Sequence, residues 1–114
     1  MDQQYVEIEN RLQARLPEAC REFIELHGGK FFGDSIRFYA ADEIVERNEC
    51  YETRVYCNGF ITIGDDGGGR AIMTDPQSRY LPVFVVGHGS MSVEHFERVS
   101  DRLMDWIARG CPLE

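Results

Sequence analysis

Residues 59–75 read GFITIGDDGGGRAIMTD, two β-rich apolar runs on either side of the five residues DDGGG. The first run is full of Ile, Thr and Phe, the second of Ala, Ile, Met and Thr, and both suit pleated strands. An insert this short makes them a hairpin. Glycines supply positive φ for a turn or bulge, and Asp readily opens one. Three glycines in a row exceed what a turn requires, so another backbone segment or side chain is expected to pack closely against the loop.

The same loop invites ligand readings, and its neighbours argue against them. A phosphate-binding loop ends in Lys and Ser/Thr and leads into a helix, whereas this one ends in Arg70 and leads into a strand. The two aspartates would also repel a phosphate. A dinucleotide fingerprint fails because no helix follows the glycines. The alternating acids and distal Glu of a calcium loop are absent, since Asp65 and Asp66 are adjacent. A divalent ion held by Asp65, Asp66 and Asp75 would be held weakly.

At 114 residues the chain is long enough for one domain, expected over residues 1–114. Net charge is −8, from 20 acidic residues against 12 basic. Such a surface repels nucleic-acid backbones and attracts a basic protein partner. The apolar run YLPVFVVG is too short to span a bilayer, and the opening MDQQYVEIENR lacks the pattern of a signal peptide. A cytoplasmic protein is the expectation. Cys20, Cys50, Cys57 and Cys111 form no C-x-x-C pair, which argues against a zinc or redox site and for reduced, mostly buried thiols. No cofactor is expected.

Along the chain the periodicity changes twice. In QYVEIENRLQARL, Tyr5, Ile8, Leu12 and Leu16 fall on one face of a helix. Pro17 suits the start of a second helix, with Cys20, Phe23, Ile24 and His27 inward and Gly28 as its stop. SIRFYA suits a short strand carrying Ile36 and Phe38. ADEIVERNECYE returns to helix, with Asp42 as its cap and Ile44, Val45, Asn48 and Tyr51 inward. LPVFVV, which shows no alternation, reads as a central strand. The last segment, SVEHFERVSDRLMDWIARG, fits either one long helix or a strand over 93–99 followed by a short helix capped by Ser100. The fold class is therefore α+β: an N-terminal helix pair, a central, mostly antiparallel sheet with a glycine-rich hairpin, and a short C-terminal helix.

Two groups of residues remain as functional candidates. His88, between glycines after an apolar strand, stands where enzymes often place catalytic groups. No nucleophile elbow accompanies it, however, and a triad of Cys57, His88 and Asp75 has no local support. His27 at a helix C-terminus is explained by the helix dipole. The stronger feature is the segment 42–52, with Asp42, Glu43, Glu46, Glu49 and Glu52 against Arg47 alone. On a helix Asp42, Glu46 and Glu49 share one face. That face is either solvated surface or an acidic stripe that docks a basic partner. With Glu52, Asp65 and Asp66, these three are the candidate partner-binding residues.

Taken in order, five segments resemble the SUKH superfamily, the Smi/Knr-like proteins. They are IENRLQARLPEACREFIELHGG, FYAADEIVERN, FITIGDDGGGRAIMTD, LPVFVVGHG and VSDRLMDWI, which together span nearly the whole chain. His27, where the family often has Asn, and Ser78-Arg79-Tyr80 before the PV strand depart from its pattern. The resemblance implies that DDGGG is a hairpin corner rather than a catalytic loop, and it favours the strand over 93–99. It also implies a binding function without catalysis. Bacterial members are often immunity proteins that neutralise a cognate toxin, in many cases a nuclease. A regulatory interaction module without a toxin is the second expectation. An enzyme or ligand-binding protein using Asp65, Asp66, Asp75 and His88 is the third.

Overall fold

The structure, a computed structural model, describes residues 3–33 and 35–113. Among the described residues there are five α-helices: α1 (Gln3–Leu12), α2 (Glu18–His27), α3 (Ala41–Cys50), α4 (Thr53–Tyr56) and α5 (Leu103–Ala108). Six strands, β1 (Phe31–Phe32), β2 (Ile36–Phe38), β3 (Ile61–Asp65), β4 (Arg70–Thr74), β5 (Val83–Gly87) and β6 (Glu97–Ser100), form one sheet in sequence order. Every pairing is antiparallel. Among the described residues no helix is long and apolar enough to cross a membrane.

Strand alternation divides the apolar residues between two faces. Ile61 and Ile63 of β3, Ile72 of β4, and Val83 and Val85 of β5 join the main core with the buried side chains of α1, α2, α3 and α5. Ala71, Met73 and Val86 point the other way and pack with Cys57, Phe60, Phe84 and Phe96. This second cluster explains why β5 shows no alternation, although β5 lies one place from the edge strand β6 and the middle of the sheet is β3–β4.

Both N-terminal helices form, with different ends. Tyr5, Ile8 and Leu12 are buried along α1, but the helix stops at Leu12 because Gln13 takes a left-handed φ of 56°. Leu16 is buried from the following loop, where its N–H donates to Glu9 Oε2 at 2.6 Å. In α2, Pro17 occupies the cap position and Cys20, Phe23 and Ile24 are buried. The left-handed stop is Gly29 (φ 80°); Gly28 itself has φ −59°. His27 is not placed as a charged C-terminal residue. Its ring packs against Phe23 and Phe32, and neither ring nitrogen has a hydrogen-bond partner among the described residues. Burial, with the Lys30 charge, lowers its pKa.

Helix α3 is capped at Ala40 rather than at Asp42. Glu43 reaches back to accept the Ala40 N–H at 3.0 Å, half of a capping box, and also pairs with Arg37. At the C-terminus the strand begins later than the 93–99 expectation. Residues Val93–His95 make a 3₁₀ turn, Phe96 packs on Phe60 and Phe84, and β6 starts at Glu97. Ser100 ends that strand and does not cap α5, whose cap position is Arg102.

Candidate protein-binding site

On α3 the sequence pattern separates cleanly. Ile44, Val45 and Asn48 are buried, while Asp42, Glu46 and Glu49 face solvent. Arg11 of α1 pairs with Glu49 at 2.6 Å, and Arg37 of β2 pairs with Glu43. Asp42, Glu46 and Glu52 have no ion-pair partner among the described residues. Glu52 holds left-handed backbone angles (φ 52°, ψ 41°), which ends α3 and turns the chain into α4. Such angles are costly for a residue with a Cβ. Their effect here is to present Val55 and Tyr56, which are 65% and 54% exposed, beside the end of the acidic stripe. Glu49, Glu52 and Val55 border an open groove of about 490 Å³ that Leu12 and Phe60 also line.

Asp65 and Asp66 are spent differently. Asp65 Oδ1 accepts the Gly67 N–H at 3.0 Å, and its Oδ2 accepts the Tyr39 hydroxyl at 2.7 Å. Asp66 is buried. Its Oδ1 accepts the N–H groups of Gly68 and Arg70 at 2.8 and 3.0 Å, and its Oδ2 accepts Arg70 Nε at 2.8 Å. Burial alone would raise the Asp66 pKa, but these bonds and the Arg70 charge together hold it below its ordinary value. The two aspartates thus build the hairpin corner, and four of the six candidate carboxylates lie along α3 and at the start of α4. A chain of contacts joins the two groups. The Tyr39 and Tyr51 hydroxyls lie 3.4 Å apart, and the Tyr51 ring stacks on His88 with centroids 4.5 Å apart.

The glycines do not serve close packing in the loop. Gly67 and Gly69 carry positive φ (73° and 99°), and a Cβ on Gly68 would meet nothing closer than Asp66 at 3.6 Å. The tight approach is one strand earlier, where a Cβ on Gly64 would lie 2.4 Å from the Arg37 carbonyl oxygen.

Of the residues of the enzyme and ligand reading, Asp65, Asp66 and His88 lie at the corner, where the His88 N–H donates to the Gly69 carbonyl at 2.8 Å, and Asp75 does not join them. Asp65 stands opposite Ala71 near the corner, whereas Asp75 follows the far end of β4, where Thr74 pairs with Ile61. Asp75 Oδ1 accepts the Gln77 N–H and opens the next turn. Cys57 is buried in the second cluster, where desolvation raises its thiol pKa and disfavours the nucleophilic thiolate. Among the described residues no three His, Cys, Asp or Glu side chains are grouped to hold a metal ion.

Sequence reasoning passed over a second acidic row. Glu18, Glu22 and Glu25 of α2 repeat the spacing of Asp42, Glu46 and Glu49, are exposed, and have no ion-pair partner among the described residues. The i, i+4, i+7 pattern was available. Arg21 and the apolar residues between them diluted the local charge.

Residues 2–109 match the family described as SMI1 / KNR4 family (SUKH-1). The chain belongs to this SUKH family. The match runs from α1 through every strand of the sheet and includes α5, so the acidic helix and the hairpin corner both lie within the SUKH region. No curated protein matches the chain.

Proposed function

We propose that this SUKH-domain protein is a cytoplasmic immunity protein that neutralises a cognate toxin by stoichiometric binding, using one domain and no catalysis. The observation that carries the reading is the α3 surface. Its solvated carboxylates run into Glu52 and then into exposed Val55 and Tyr56; among the described residues Asp42 and Glu46 have no ion-pair partner and Glu49 has an exposed Arg11. A charged rim beside apolar anchors is the anatomy of a protein interface. Its sign suits a basic partner, such as a nuclease whose own site is built for phosphates. Asp65 reaches this surface through Tyr39 and Tyr51, while the Asp66 carboxylate is engaged within the hairpin corner by Gly68 and Arg70.

The test is a pull-down of the tagged chain from its native host, followed by expression of each stoichiometric partner alone and with this chain. A basic partner that stops growth, and is silenced by this chain but not by the Asp42→Lys/Glu46→Lys variant, is the expected result. A benign partner would replace immunity by the regulatory module. An affinity that the double reversal leaves unchanged would remove α3 from the interface.

A further inference from the structure

Eight large apolar side chains are well exposed among the described residues, and three of them surround one cleft. Leu26 of α2 is 55% exposed, and Tyr80 before β5 and Met104 of α5 are each 48% exposed. The cleft holds about 220 Å³. Its walls are fixed: the Leu103 N–H donates to the carbonyls of Tyr80 and Leu81 at 3.2 and 2.9 Å, which ties α5 to the segment before β5. The exposed Tyr80 ring is flanked by two cations, the guanidinium of Arg102 at 4.1 Å and that of Arg79 at 5.4 Å from its centroid.

The cleft is smaller than the ~300–1,000 Å³ of a small-molecule site. It has the size of a socket for one side chain, and prepositioned apolar sockets are where interface energy concentrates. Charge around it is uneven. Glu22 lines the cleft, Glu18 and Glu25 extend the same helix face, and Asp105 stands on α5, all without an ion-pair partner among the described residues. Arg79 and Arg102 line the cleft as well and stack on Tyr80, so the rim itself is balanced and the acidic excess lies on the outer face of α2. We infer that this cleft is a second protein-docking site, which takes one large apolar side chain from a partner segment that places Lys or Arg against the outer face of α2. The site shares no residue with the groove beside α3 and α4, and the inference shares with the immunity reading only the premise that the chain binds protein.

The experiment is selection of a phage-displayed random peptide library on the full chain, with Leu26→Asp as the counter-target. Enriched peptides should carry Phe, Leu, Met or Trp beside Lys or Arg. They should bind at least tenfold more weakly to Leu26→Asp and to Glu22→Lys/Glu25→Lys, and equally to Glu46→Lys. If Leu26→Asp disturbs the fold by circular dichroism, Met104→Ala takes its place in the same comparison. Absence of any peptide preferring the native chain would overturn the proposal, as would peptides indifferent to the α2 charge reversal. A dimer in sedimentation that Leu26→Asp dissolves would also overturn it, by giving the cleft to a second copy. Any of these failures leaves the α3 reading intact, because that reading is tested at Asp42 and Glu46.

Discussion

The side-chain amide of Asn48 pairs with both backbone groups of Thr62: Nδ2 donates to the Thr62 carbonyl at 2.9 Å, and Oδ1 accepts its N–H at 2.8 Å. Strand β2 pairs with β3 at Asp65 and Gly64, and the Tyr39 N–H extends the contact to the Ile63 carbonyl at 2.9 Å, so that α3 supplies the neighbour at Thr62. Both residues are buried. Asn48→Ala leaves a buried donor and acceptor unpaired and should cost about 2–4 kcal/mol in urea unfolding. A loss below about 1 kcal/mol would show that water replaces the amide.

Asp66→Ala should cost about 2–3 kcal/mol at neutral pH, since three charge-assisted bonds at the corner are lost. The folded carboxyl titrates below its ordinary value of 3.8. Its stabilisation is therefore complete above that value and is lost as pH falls through the folded value. The difference between wild type and variant should shrink on acidification. A difference that stays constant to low pH would rule out the charged contact as its source.

Two glycines should respond in opposite ways to alanine. Gly64→Ala drives a Cβ against the Arg37 carbonyl and should cost at least about 2 kcal/mol, or shift β2 away from β3. Gly68→Ala meets only ordinary contacts and should change stability by no more than about 0.5 kcal/mol. Thermal melts of both variants check the pair, and equal losses would refute the assignment.

His27 should make the fold sensitive to mild acid. Burial holds its folded pKa below 6.5, so the unfolded chain takes up a proton that the folded one resists. Stability should decline as pH drops below 6.5 toward the folded value. His27→Phe, which suits the ring contacts with Phe23 and Phe32, should flatten stability between about pH 7 and 5. An unchanged slope in that variant would place the sensitivity elsewhere.

The elements with strict periodicity were legible in the sequence. Tyr5, Ile8 and Leu12 announced α1, Phe23 and Ile24 announced α2, and the two runs around DDGGG announced β3 and β4. Boundaries were harder, because they depend on contacts remote in sequence. Gln13 stops α1 while Glu9 ties down the loop beyond it, and Phe96 is withdrawn from a strand by Phe60 and Phe84. The exposure of Asp42, Glu46 and Glu49 followed from helical spacing alone. The fate of Asp66 did not, since its partners are set by the backbone of the turn. Nor did the cleft at Tyr80, which three separate segments assemble.

The strand order β1-β2-β3-β4-β5-β6 repeats the order of the chain. Each strand that leaves the ribosome thus finds its only earlier neighbour already made, and the sheet can grow by annealing at one edge, with no slot held open for a later insertion. Such local closure favours rapid folding, which suits a protein whose proposed task requires it to be native before its toxin arrives.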